Sequence, residues 1–192
     1  MARPQEFDRD QVLTAAIKTF SKFGYDGTST DVLLKSMGIS RQSMYNTFGD
    51  KKRLYLEALQ SYSFESIGNI ASTLQSSNSP MAAIEATLLG FVLSMQPSSE
   101  SGCLGVGAIC EFGRRDREIA AISDATSAAL QNVLEAAVQR AKDKGEVASD
   151  VKPKDAALFL GVTLTGLKVA ARSGAKPEAL RAIAHTALRS LK

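Results

Sequence analysis

Between Thr28 and Tyr55 the chain reads TSTDVLLKSMGISRQSMYNTFGDKKRLY, and hydrogen-bonding side chains crowd its middle. Arg41, Gln42, Ser43, Tyr45, Asn46 and Thr47 fall within seven residues, interrupted only by Met44. Guanidinium, amide and hydroxyl groups of this kind bond to base edges and phosphate oxygens. On an ordinary helix the same groups simply face water. Their types acquire meaning only if neighbouring elements hold the helix in a fixed presentation.

The flanking sequence predicts such elements. Ser40 is a preferred N-cap for a helix from Arg41 to Thr47, and Met44 and Phe48, four apart, face one core. A helix this short is unstable alone and needs a platform. Thr28 and Asp31 have capping-box spacing, which predicts a second helix from Thr28 to about Met37, stopped by Gly38, with Ile39 as the apolar plug of the turn. Upstream, Asp8 caps a helix whose Val12, Leu13, Ala16, Ile17 and Phe20 keep the helical period until Gly24. Gly27 is the expected site of positive φ in the turn that follows. Downstream, Asp50 caps a helix opening on Lys51, Lys52 and Arg53, cations that oppose the helix dipole and call for an anionic partner. The whole stretch reads as a DNA-reading helix-turn-helix.

The remaining chain is also helical in pattern. The helix from Lys51 runs through Leu54, Leu56, Leu59, Phe64, Ile67 and Ile70 to about Leu74. At 1.5 Å per residue its ~25 residues span nearly 40 Å, enough to join two domains. Ser79-Pro80 starts another helix, Cys103 to Phe112 forms a short one, and Asp116 caps a longer one ending at Gly145. Ala156 to Ala171 is apolar nearly all round, so it should be covered on two sides, once by its own core and once by a second subunit. Gly161 is the position expected at that interface. Pairing helices 153–173 and 177–191 twice would give a four-helix contact about a two-fold axis. The expected fold is all-α, with about nine helices: a helix-turn-helix domain over 1–50 and a helical domain over 51–192, joined by the helix 51–75.

Composition agrees with this class. Of 192 residues, 44% are hydrophobic, 6% are aromatic and none is Trp, which favours helices over a β-sandwich. The net charge of +3 is too small to identify a partner by itself, although residues 1–60 carry nine basic and seven acidic side chains. The start MARPQEFDRD lacks an apolar leader core and no run of 18 apolar residues occurs, so a cytoplasmic protein with no membrane partner is expected. Cys103 and Cys110 lie about two helical turns, ~10 Å, apart and cannot bridge within one helix. Either thiol could serve a redox or electrophile sensor if Arg114, Arg115 or Arg117 lowered its pKa. His185, the single histidine, has no second His or Cys at metal spacing, and neither metal nor cofactor is expected. No phosphate loop, nucleophile elbow or HExxH pair nominates a catalytic centre; the alternative of a helical-bundle enzyme would draw a carboxylate site from Glu85, Glu111 and Glu135.

Gly24-Tyr25, Thr28-Ser29-Thr30, Gly38-Ile39-Ser40, Met44-Tyr45 and Phe48-Gly49-Asp50-Lys51 together resemble the N-terminal pattern of the TetR family of bacterial transcriptional regulators, over residues 8 to 60. Gly102-Cys103-Leu104 followed by Glu111 is similar to a segment of some members. The resemblance implies a homodimer on double-stranded operator DNA, with one short helix in each of two major grooves. It puts DNA contacts on Thr28, Ser29, Arg41, Gln42, Ser43, Tyr45, Asn46, Thr47 and Lys51. Among these, Arg41, Gln42 and Ser43 lie nearest bases, and Thr28, Tyr45 and Lys51 hold phosphates. It also implies a small-molecule effector that releases a repressor, bound in a pocket between helices 4 to 7 for which Phe64, Phe91, Met95, Phe112 and Leu130 are candidates. Two residues depart from the pattern: Thr47 stands where His or an aromatic is common, and Leu34 replaces a common small residue.

Overall fold

A computed structural model describes residues 7–94 and 102–192, without the side chains of 91, 93 and 94. Among these residues the chain forms nine helices and no strand: α1 (Arg9–Phe23), α2 (Thr30–Met37), α3 (Arg41–Phe48), α4 (Lys51–Gln75), α5 (Pro80–Ser94), α6 (Leu104–Phe112), α7 (Arg117–Asp143), α8 (Pro153–Arg172) and α9 (Pro177–Arg189). The all-α expectation is met. No helix among the described residues is long and apolar enough to cross a membrane.

The chain divides into two compact units, Met1–Ser63 with Glu100–Ser123, and Phe64–Ser99 with Asp124–Lys192. The division falls inside α4 and α7 and differs from the expected boundary after residue 50. It adds the first half of α4, all of α6 and the start of α7 to the helix-turn-helix.

In the first unit, Val12, Leu13, Ala16 and Phe20 of α1 meet Leu33 and Met37 of α2, Met44 and Phe48 of α3, and Leu54, Tyr55, Ala58 and Leu59 of α4. Leu104 and Ala108 of α6 and Ile119 of α7 complete this core. The helix starts are built by side chains as expected: Asp8 Oδ1 accepts from the N–H groups of Asp10 and Gln11. Asp50 Oδ1 accepts from Arg53 N–H at 2.8 Å, and Asp116 Oδ1 from Glu118 and Ile119. At the first turn the expectation is corrected twice. The α2 cap is Ser29, whose Oγ accepts from Val32 N–H, not Thr28. Positive φ belongs to Gly24 (φ 75), not Gly27, because α1 is terminated by a residue outside the range open to L side chains. Gly27 is needed for space, since a Cβ there would overlap the Phe23 carbonyl oxygen.

In the second unit, α8 buries Ala156, Ala157, Leu160, Leu164 and Leu167 against Leu134, Ala137, Val138 and Ala141 of α7 and against Leu180, Ala184, Ala187 and Leu188 of α9. Glu146 ties down α5 by accepting from Ser79 Oγ and from Met81 N–H at 2.8 Å. The opposite row of α8 (Leu158, Val162, Thr165 and Val169) is exposed, Val162 by 64%, and the neighbouring exposed Phe159 lies beside exposed Ile183 of α9. Gly161 borders that row on the α7 side and lines one groove with Leu158 and Val162. Its added Cβ would meet Leu130 and Leu134 of α7 at 3.9 Å, so it faces its own protomer's α7.

Candidate nucleic-acid interface

Helix α3 is eight residues long, and two of them tie it to the platform: Met44 is fully buried and Phe48 is 5% exposed. Burying side chains of this size stabilises each anchor by about 1.5–3 kcal/mol, which compensates for the poor intrinsic stability of two helical turns. Ser40 fixes the start by accepting from Ser43 N–H at 3.1 Å. With Met44 and Phe48 inward, Arg41, Gln42, Tyr45 and Asn46 are exposed together, while Ser43 and Thr47 are half-buried at the flanks. Ser43 Oγ also shares a 2.9 Å hydrogen bond with Ser40 Oγ.

Arg41 is not free in the unbound chain. Its Nη2 meets Asp31 Oδ1 of α2 at 2.5 Å. Both side chains are more than half exposed, so the pair contributes little to stability, about 0–1 kcal/mol, and can open at low cost. The capping-box contact expected between Asp31 and Thr28 is not formed, since Thr28 N–H donates to Tyr25 O and Ser29 caps α2, and the approach of α2 to α3 gives Asp31 the Arg41 partner instead.

Thr28 requires a correction. It is fully buried, its hydroxyl donates to Gly24 O at 2.5 Å and its N–H to Tyr25 O at 3.2 Å. A side chain enclosed in its own turn cannot hold a phosphate, so its contribution is to shape the turn. Ser29, next to it, is exposed.

The cations opening α4 have separate surroundings. Lys51 Nζ lies 4.1 Å from the centroid of the Tyr25 ring. Such a cation–π contact contributes about 0.5–1 kcal/mol at an exposed site and holds the ammonium in place. Lys52 Nζ pairs with Asp116 at 2.6 Å and Glu118 at 3.2 Å, which supplies the anionic partner expected for this helix start. The Lys52 hydrogen bond and the Ile119 N–H hold the Asp116 carboxyl below its ordinary value, and Asp116 and Glu118 in turn raise Lys52.

Behind these residues is an aromatic cluster that sequence reasoning missed. Tyr55 packs edge-on to Phe20 at 4.9 Å and to Tyr25 at 5.1 Å, and Phe112 lies 5.3 Å from Tyr25. Burial pushes the Tyr55 phenol up, aided by Glu111, and its hydroxyl has no hydrogen-bond partner among the described residues. Glu111 Oε2 accepts from Tyr25 N–H at 2.7 Å across 86 residues of chain. The single sequence signal for it was its place after Gly102-Cys103-Leu104.

Three of the five pocket candidates, Phe64, Phe112 and Leu130, fall among the residues whose side chains are described. Phe64 is 82% exposed, and Phe112 is packed in the aromatic cluster of the first unit. The Phe91 side chain and Met95 lie outside the described residues. Leu130 lines a groove of about 580 Å³ between α7 and α8, with Gln131, Leu158, Gly161, Val162 and Thr165. Phe64 and Phe112 miss it because helical period reports an apolar face without reporting which neighbour covers it. Cys103 is half-buried with its Sγ 3.2 Å from the Tyr62 hydroxyl, and Cys110 is exposed. Arg115 is bonded to the carbonyls of Glu111 and Phe112, not to either thiol. His185 is exposed on α9. Of the three carboxylates weighed for catalysis, Glu111 serves the first unit, and Glu85 and Glu135 belong to the second.

Family models match at both ends of the chain: residues 12–58 match bacterial regulatory proteins of the tetR family, and residues 80–187 match the tetracyclin repressor-like C-terminal domain. The chain belongs to the TetR family. Among similar proteins, the HTH-type transcriptional regulator YezE of Bacillus subtilis (strain 168) is 34% identical over 148 residues, covering 77% of this chain and 76% of YezE. The HTH-type transcriptional repressor ComR of Escherichia coli (strain K12) is 25% identical over 97% of this chain and 90% of ComR. A solved structure of a cysteine mutant of the TetR family regulator CifR, complexed with 26-base-pair operator DNA, superposes with a TM-score of 0.87 at 28% identity, covering 99% of this chain and 100% of CifR. This TetR-family protein is thus a DNA-binding transcriptional regulator.

Proposed function

We propose that the protein is a homodimeric repressor that places two α3 helices in successive major grooves of a pseudo-palindromic operator and leaves it when a small molecule binds. The observation that carries the reading is the presentation of α3: Met44 and Phe48 are buried while Arg41, Gln42, Tyr45 and Asn46 are exposed together. Arg41 has the paired donors to read a guanine, with Gln42 and Ser43 beside it. Tyr45, Ser29, Asn46 and Thr47 are assigned to the surrounding backbone and sugar contacts, and Lys51, held over Tyr25, to a phosphate near the α4 N-terminus.

Dimerisation through α8 and α9 is supported by the outward row Leu158, Val162 and Val169 with Ile183, which one chain leaves in water. A two-fold contact of these two helices would cover the row with its own copy. Effector release is supported by the match of residues 80–187 to a tetracyclin repressor-like domain. An effector acts only through a difference in affinity between the DNA-competent arrangement and another, here a shift of α4 that respaces the two α3 helices. Unbiased selection of bound duplexes tests the reading: two inverted half-sites about one helical turn, or a multiple, apart are expected. Recovery of no sequence above random would refute it.

A second reading, thiol-controlled release, is favoured by one contact: Cys103, at the N-terminus of α6, receives the Tyr62 hydroxyl at its sulfur. The CifR form bound to operator carries cysteine substitutions. Alkylating the protein should then weaken operator binding, and Cys103→Ser should abolish that response. Unchanged affinity after complete alkylation would dispose of this reading.

A further inference from the structure

We propose that Glu111 is a positioning residue for DNA binding, acting from α6 on the turn between α1 and α2. The inference rests on the DNA-binding reading above. A helix ending in positive φ turns the chain away sharply, and the first N–H beyond the cap then needs a partner from elsewhere. Here that N–H belongs to Tyr25, and Glu111 Oε2 accepts it at 2.7 Å. The second oxygen occupies the space where a side chain at residue 24 would begin: a Cβ on Gly24 would overlap Glu111 Oε1. Gly24 is therefore required twice, for its φ of 75 and for the carboxylate that fills the place of its side chain.

What the carboxylate holds leads directly to the DNA-facing groups. Tyr25 sets its ring edge-to-face against Phe112, one residue beyond Glu111, and against Tyr55. The same ring stacks on Phe20 at 6.3 Å and carries the Lys51 ammonium at 4.1 Å. The same turn continues through Thr28, bonded to Gly24 and Tyr25, into Ser29, the α2 cap. One acceptor on α6 thus sets Tyr25, Tyr25 seats Lys51, and the turn aims the start of α2. A charge-assisted N–H···O⁻ bond is stronger and more directional than a neutral one, which suits a joint between elements far apart in sequence.

The test compares wild type, Glu111→Gln and Glu111→Ala in the full-length protein, using the selected operator and random duplex. Glutamine keeps an acceptor oxygen in place; alanine does not. Glu111→Ala is expected to weaken operator binding about tenfold with an unchanged base preference, and Glu111→Gln to stay within about threefold of wild type. In wild type the Tyr25 amide should exchange with solvent as slowly as core amides of α1. Folded Glu111→Ala with wild-type affinity would overturn the proposal. So would Glu111→Gln as weak as the alanine variant, or a Tyr25 amide exchanging like an unbonded one. Should the alanine variant fail to fold, the glutamine variant and the wild-type exchange rate still decide. If wild type itself bound no duplex, the DNA-binding reading would be the one to fail, and the exchange rate would still report on the joint.

Discussion

Replacing Arg41 by alanine separates what this residue does for the fold from what it does for DNA. Its ion pair with Asp31 is short, 2.5 Å, but the two side chains are 56% and 81% exposed. Such a pair is worth about 0–1 kcal/mol, and alanine recovers part of that through its helix propensity. The unfolding free energy should move by less than about 1 kcal/mol. Against operator DNA, on the proposed assignment, the same change should remove a contact that discriminates bases by about 1–3 kcal/mol. With two copies on two half-sites, as proposed, the loss should be about 2–6 kcal/mol per dimer, about 30-fold to about 20,000-fold in Kd at 1.4 kcal/mol per decade. Random duplex, held mainly through phosphates, should lose much less. Fluorescence anisotropy at one fixed salt concentration, on the operator and its single base-pair variants, measures both. An Arg41→Ala protein with the wild-type base profile would refute the assignment, and an equal loss on random DNA would make Arg41 a phosphate anchor instead.

Other expected outcomes follow from single contacts. Val162→Glu puts a charge in the exposed α8 row and should yield monomers by sedimentation with weakened operator binding; an intact dimer would remove α8 from the interface. Thr28→Val should cost about 1 kcal/mol in urea unfolding through loss of the bond to Gly24, yet leave the salt slope of DNA binding unchanged, since no phosphate contact is lost. Tyr55→Phe removes a buried hydroxyl that has no partner among the described residues, so its stability should stay within about 1 kcal/mol of wild type; a loss of several kcal/mol would reveal a partner. The Lys52 ammonium and the Ile119 N–H hold the native Asp116 carboxyl below the ordinary carboxylate value that it has unfolded. Its stabilising contribution is complete above the unfolded value and is lost as pH falls through the native one. Asp116→Asn should therefore flatten the stability curve below about pH 4, which acid unfolding monitored by circular dichroism can check.

The helices, most of their caps and the inward pair Met44 and Phe48 were legible in the sequence. These depend on signals within three or four residues: an Asp or Ser before a helix, a glycine after it, an apolar repeat along one face. The exposed set on α3 followed from the same periodicity, because burying Met44 and Phe48 leaves Arg41, Gln42, Tyr45 and Asn46 no other side. Tertiary structure decided matters that depend on which helices meet. It enclosed Thr28 in the first turn, paired Arg41 with Asp31 and Lys52 with Asp116, and turned Gly161 towards α7. It left Phe64 in solvent although Phe64 fits the apolar pattern of α4 as well as any neighbour. Above all it brought Glu111 to Tyr25, 86 residues away. A local pattern records that a side chain prefers burial or a hydrogen bond, whereas the partner that satisfies it is chosen by packing between distant elements, for which this sequence carries no local mark.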